Sequence, residues 1–298
     1  MKEGAARPDC HTRVLCGSVG PPSLVTGAGG EKSVSLIIIL GVAAVAIVLS
    51  PVLVKLIGTK AGYPLGMLAL ADTVLLAREL PRALVEPITI SYPWVPGALA
   101  DIGFSVRLDG LSAIFALLAL VVGAVVFLYS AAYLPARGAG ATNFYTLMTA
   151  FMASVLLLVL ADDVFLLFIA WELVSLASFM LIARSGGRGG EAGSQRTLIL
   201  TFIGGLTLLV AMSIAATQAG TTSIHGILRS SFWVDKPGLT AALAVLVAVS
   251  AFTKAAQFPF HFWLPEAMAA ITPVSAFLHA AAVVKAGIYV LLRFSTVF

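Results

Sequence analysis

Eight apolar runs divide the chain, at 34–57, 63–80, 109–134, 143–161, 163–184, 196–219, 240–264 and 274–297. Crossing a bilayer takes roughly 20 predominantly apolar residues. Runs this long and continuous predict helices, not the short alternating strands of a membrane barrel. The second run is the weakest, because Asp72, Arg78 and Glu79 interrupt it. The fourth and fifth are separated only by Ala161-Asp162-Asp163, which predicts a tight turn at the membrane surface with an aspartate capping the next helix. Residues 86–108 have another texture. ITISY and IGFSV alternate apolar and polar positions on either side of a Pro/Gly-containing bend, predicting a short β-hairpin outside the membrane. Tyr92 and Trp94 suit the interface, where amphipathic aromatic rings are favoured.

Composition turns this pattern into a fold class. Of 298 residues 60% are hydrophobic and 11% charged, with a mean hydropathy of +1.03. Soluble proteins carry about 25% charged residues, so this chain has too little polar surface to solvate a globule. An all-α polytopic membrane protein is expected, with about eight transmembrane helices and a proline-broken seventh. The net charge of +4 does not indicate nucleic acid as a partner, since the basic residues are scattered between apolar runs. There they set orientation: the basic loop 184–196 places the N-terminus outside, and a cell membrane is the expected location. Residues 1–33 are polar, rich in Gly, Pro and Ser, and predict a disordered extension. The run from Val34 is followed by no small-residue cleavage site, so it reads as the first spanning helix and not as a signal peptide. Cys10, His11 and Cys16 fit no common zinc spacing; no metal and no cofactor are expected. No CxxC, GxGxxG, HExxH or GxSxG pattern occurs, which argues against an enzyme.

Candidate chemistry lies in charges placed within the apolar runs, where ionisable groups are costly and normally face protein, water or one another. Glu172 stands near the middle of the fifth run and shares a helix face with Ser175 at i, i+3 spacing. Lys254 lies in the seventh run before Phe258-Pro259 interrupts it, and is the natural partner for Glu172. The prolines at 259, 265 and 273 each remove a backbone donor and disturb helix geometry. His279 and Lys285 sit on the eighth run, about 120° apart around a regular helix. An imidazole titrates near neutral pH, which suits His279 to a proton relay. His261 and Lys285 are weaker candidates. Asp72 is expected to be structural, closing a salt bridge with Arg78, and Trp263, Phe258 and Phe262 to be packing residues.

Three blocks carry a resemblance: RLDGLSAIFALL at 107–118, WELVSLASFMLI at 171–182, and FTKAAQFPFHFWLPEAMAAITPVSAFLHAAAVVKAGIYVLLR at 252–293. Together they resemble the proton-conducting antiporter-like family. It includes the large subunits of Mrp-type Na+/H+ antiporters and the membrane-arm subunits of NADH:quinone oxidoreductase and membrane-bound hydrogenases. PFHFWLPEAM followed by FLHAAAVVKAGIY is most similar to the A-type Mrp subunit. The resemblance covers about 34–298 and implies a half-channel in which Glu172 and Lys254 form a charge pair and His279 passes protons onward. It divides the chain into N-terminal helices with the hairpin (34–142) and half-channel helices (143–298). Ile271 departs from the family pattern, which has proline there. The family fold has about fourteen helices in two inverted halves, so a second half-channel is expected outside this chain, which is read as a fragment, a truncated product or one of two complementary chains. The implied partners are other membrane subunits of a hetero-oligomer, the bilayer, protons and Na+. Two other readings stand beside it: a proton-pumping subunit of a respiratory complex or hydrogenase, and a non-transporting assembly protein.

Overall fold

In the computed structural model, the described residues are 30–95, 102–135, 140–185 and 187–298, with side chains described for 34–92, 103–135, 140–184 and 193–298. The expected tail up to residue 29, the hairpin bend and the Trp94 side chain lie outside them. Gly30 already belongs to the first helix, so that helix starts slightly before the apolar run. The helices and strands in order are α1 (Gly30–Ile57), α2 (Gly62–Val85), β1 (Ile88–Val95), β2 (Ile102–Leu108), α3 (Gly110–Tyr133), α4 (Ala141–Leu160), α5 (Val164–Ser185) and α6 (Gly187–Ala219). Two short helices follow, α7 (Ile224–Leu228) and α8 (Phe232–Asp235), then α9 (Pro237–Lys254), α10 (Trp263–Ala267), α11 (Thr272–Phe277) and α12 (Val283–Phe294). A π-helical turn, Leu278–Ala282, joins α11 to α12, and the three make one apolar span, Thr272–Phe294. With α1 and α2 taken separately, these spans match the eight expected ones. Large apolar side chains such as Val48, Leu56, Met67, Val74, Ile199 and Val210 are exposed on α1, α2 and α6. In water such surface would associate; in a bilayer it faces lipid. The protein is a multi-pass, all-α membrane protein.

The hairpin forms as the alternation predicts. β1 and β2 are antiparallel, pairing Ile88 with Leu108 through Val95 with Ile102, with a bulge between Pro93 and Val95. Ile88, Ile90, Val106 and Leu108 turn inward, while Tyr92 is exposed. The hairpin is anchored to the bundle: the Asp162 amide donates to the Ser105 carbonyl at 2.9 Å. The turn at 161–163 does what its two carboxylates predict. Asp163 Oδ1 accepts from the amides of Phe165 and Leu166 at 2.8 and 3.2 Å, capping α5. Asp162 reaches across to the α7 segment, accepting from the Ser223 hydroxyl (3.1 Å) and the His225 amide (3.0 Å). One end of the bundle is therefore closed by hairpin, turn and α7 together.

A second tie at this end comes from far along the chain. Asp109 caps α3 in a reciprocal capping box with Ser112, and its other oxygen accepts from Arg293 of α12. Arg293 also donates to the Tyr289 hydroxyl, and that hydroxyl donates to the Val159 carbonyl of α4 at 2.8 Å. Burial alone would push the Asp109 carboxyl up, but the Arg293 hydrogen bond and charge, with the Ser112 contacts, hold it below the usual carboxylate range.

The seventh helix is shorter than the apolar run, and its ending has another cause. It stops at Lys254 and not near 264. Ala256 adopts a left-handed φ of 51°, and the Gln257 amide bonds the Phe252 carbonyl at 3.0 Å. That six-to-one bond with a left-handed residue inside it is a Schellman ending, completed before the chain reaches Pro259. Trp263 then folds back and donates its indole N–H to the Thr253 carbonyl at 2.8 Å, satisfying one of the carbonyls a helix end leaves free.

Candidate proton-transfer site

Helices α5, α6 and α9 build the site. Lys254, the last residue of α9, is fully buried and crosses to α5. Its Nζ donates to the Trp171 carbonyl at 2.8 Å and to the Ser175 hydroxyl at 2.6 Å. The ammonium also lies 4.7 Å from the centre of the Trp171 ring, within cation–π range. Two oxygens and an aromatic face thus replace the water shell that a buried ammonium loses.

Glu172 is the residue after Trp171, so Lys254 contacts the turn of α5 that carries the carboxyl. The two are not in direct contact: among the described residues, no ion pair within 4.0 Å joins them. The serine expected on the Glu172 face is the group that holds the lysine. Glu172 instead leans on α6, where a Cβ at Gly205 would overlap its carboxylate, and its Oε1 is buried without a hydrogen-bond partner. Gly204 serves the same close approach towards α9, since a Cβ there would overlap the Thr253 hydroxyl. A glycine pair inside an apolar helix is the signal that could have revealed this contact from sequence. Gly205→Ala is accordingly expected to displace the carboxylate, and Gly204→Ala to loosen α6 against α9 and lower the melting temperature in detergent.

His279 sits on the π-helical turn, where the helix widens; such turns recur at functional sites. Both its ring nitrogens are buried without partners, and it lines an open pocket of about 580 Å³ with Leu264, Pro265, Met268 and Val284. No hydrogen bond connects it to Lys254. The wider turn also means that the 120° separation from Lys285, which assumes a regular helix, does not apply. Lys285 is partly buried and makes no hydrogen bond or ion pair among the described residues. His261 is exposed and stacks on Phe258 at 5.9 Å between ring centres, so it stands apart from the buried groups. Phe258 (81% exposed) and Phe262 do not pack in the core as expected; Trp263 does. They lie in the segment after the Schellman ending, which turns these rings outward. Asp72 has no salt bridge with Arg78: the aspartate is buried and the arginine exposed on another face of α2. The break segment is fixed at its far side by Glu266, which accepts from Arg196 of α6 at 2.7 Å.

Comparison with known proteins places the chain in a family. Residues 161–298 match the family model described as NADH:quinone oxidoreductase/Mrp antiporter, TM. Residues 94–145 match the NADH-Ubiquinone oxidoreductase (complex I), chain 5 N-terminus model. The protein named "Putative antiporter subunit mnhA2" of Staphylococcus aureus strain MSSA476 is 40% identical over 237 residues, 79% of this chain and 29% of the relative. The strain MRSA252 protein of that name is 43% identical over 209 residues, 70% of this chain and 26% of its own length. The chain thus spans less than a third of these relatives. A chain in the structure of the Mrp complex from Dietzia sp. DQ12-45-1b superposes with a TM-score of 0.81 at 46% identity, over 88% of this chain and 28% of that one. A chain of an archaeal membrane-bound sulfane sulfur reductase shares the fold, with a TM-score of 0.72 at 23% identity, over 89% of this chain and 41% of that one. On these matches the chain belongs to the proton-conducting antiporter-like family, in its Mrp A-type branch, related to the membrane subunits of complex I.

Proposed function

We propose that the chain is part of a multisubunit Na+/H+ antiporter and that its residues 143–298 form one half-channel for protons. Lys254 is the central proton carrier, Glu172 biases its charge from the neighbouring position on α5, and His279 hands protons towards the middle of the membrane. The observation that carries this reading is the seat of Lys254: a fully buried amine held by a carbonyl, a hydroxyl and an indole face. Those partners hold the charged form without a formal counter-charge. The amine can therefore lose and regain a proton without breaking a tight ion pair. In this reading water bridges Lys254 to Glu172 and to His279. The partners in this reading are other membrane subunits, as in the Mrp complex that the chain resembles, and the bilayer itself. Lys285 and His261 are outside the relay. The likeness to the archaeal respiratory complex carries the fold alone and does not favour redox coupling.

The test is Na+/H+ exchange in everted vesicles bearing the assembled complex. Glu172→Gln keeps the shape of the side chain and removes its charge, so it should slow exchange severalfold and shift its pH optimum. Unchanged exchange in both Glu172→Gln and Lys254→Ala, with the complex intact, would remove the half-channel reading and favour an assembly role.

A further inference from the structure

Asp72 is a membrane carboxyl that the relay does not use. It lies inside the second spanning segment on the inward stripe of α2, with Leu65, Ala69, Leu76, Glu79 and Ala83. It is 1% exposed, and its Oδ1 has no hydrogen-bond partner. The adjacent Thr73 hydroxyl is occupied by the Ala69 carbonyl at 2.8 Å. Helix α3, which packs along α2, has no charged residue, and its titratable groups Tyr129 and Tyr133 are exposed. On α1, Lys55 is exposed near the opposite end from Ser35, and the side chains of Glu31 and Lys32 lie outside the described set; Lys60, in the α1–α2 connection, is exposed. On α2 itself Arg78 is exposed, Tyr63 is exposed at the start of the helix, and Arg82 lies beyond Glu79, 3.7 Å from it. Nothing described neutralises Asp72.

The same stripe carries a second buried carboxyl. Glu79 is seven residues on, two turns along the same face and about 10 Å away along the axis. Its Oε1 accepts from Ser35 of α1 at 3.0 Å, and its Oε2 has no hydrogen-bond partner. An unpaired charge in an apolar interior is costly enough that the group neutralises or finds an ion. A cation would need several oxygens around it, and the Asp72 carboxylate supplies two.

We propose that Asp72 is a second proton-binding carboxyl of this chain, reversibly protonated between α1, α2 and α3, with Glu79 as its acidic neighbour on the same face. The site is separate from Glu172 and Lys254 and does not depend on the antiport reading. A hydrophobic carbodiimide tests it directly. Such reagents modify protonated carboxyls inside membranes: the acid proton moves to a carbodiimide nitrogen and the carboxylate oxygen adds to the central carbon. The acyl group then shifts to nitrogen, leaving a stable N-acylurea with no leaving group. Membranes containing the chain with its partner subunits would be treated with dicyclohexylcarbodiimide across a pH series and analysed by peptide mass spectrometry. The expected result is an adduct on Asp72 that declines as pH rises, is unchanged by Glu172→Gln, and disappears in Asp72→Asn. Added Na+ should leave it unprotected. No adduct at any pH, or an adduct independent of pH, would overturn the proposal, the latter by showing a permanently neutral structural acid. Protection by Na+ would overturn it in favour of a cation site. The wild-type labelling needs no variant to fold. Infrared difference spectra should show the matching carboxylic acid band, lost in Asp72→Asn.

Discussion

Lys254→Met is expected to reduce Na+/H+ exchange in everted vesicles by at least about 100-fold, the low end of what a positioned proton-transfer group supplies. The substitution keeps the length and apolar stem of the side chain but removes the ammonium. Structure should survive it, because the Trp171 carbonyl that Lys254 contacts also accepts from the Ser175 hydroxyl at 3.1 Å. Both oxygens that Lys254 contacts thus keep a hydrogen bond, so the melting temperature in detergent should change little. Lys254→Arg gives the sharper contrast. A guanidinium stays charged at any working pH and cannot release a proton. If Lys254 were only a structural cation, Arg would restore exchange at least in part. If it carries protons, Arg should be as inactive as Met. Exchange by Lys254→Arg close to wild type would remove Lys254 from the relay.

Asp109→Ala should be the most destabilising single change at the closed end of the bundle. It removes the cap of α3, worth about 1 kcal/mol, and breaks a largely buried pair with Arg293, worth about 3 kcal/mol. It also leaves Arg293 and Arg107 without the carboxylate that both approach. Arg293→Ala should cost less, because Asp109 keeps Ser112 as a partner. A double-mutant cycle, read by thermal unfolding in detergent, should show non-additivity, and fully additive losses would dismiss the pair as a clamp. The pH dependence follows from the lowered Asp109 carboxyl. Its contribution is fully present above the unfolded value of about 3.9, and is lost as pH falls from there through the lower folded value. The stability gap between wild type and Arg293→Ala should therefore be constant around neutrality and narrow only in strong acid.

Much of this protein was legible as pattern. The eight apolar runs matched eight helices because bilayer thickness and internal backbone hydrogen bonding leave a long apolar segment few alternatives. The hairpin followed from period-two alternation, and the Asp163 cap from two carboxylates between two apolar runs. Glu172, Lys254 and His279 stood out because their position in apolar sequence is expensive. Local backbone chemistry was harder to read. The prolines suggested where the seventh helix breaks, yet a left-handed alanine ends it earlier, and no residue type announces that conformation for alanine. The π-helical turn under His279 is likewise announced by no residue type.

The sequence by itself determined the class of this multi-pass protein, the spans among its described residues and which ionisable groups lie within them. These depend on hydropathy and length, properties of each segment alone. The tertiary structure decided which of those groups meet. Lys254 faces Trp171 and Ser175 and not Glu172 directly, Asp109 pairs with a residue 184 positions away, and Asp72 is left without Arg78. A partner across the bundle is set by helix rotation and close approach at residues such as Gly205, and neither is written in the hydrophobic pattern of any one helix.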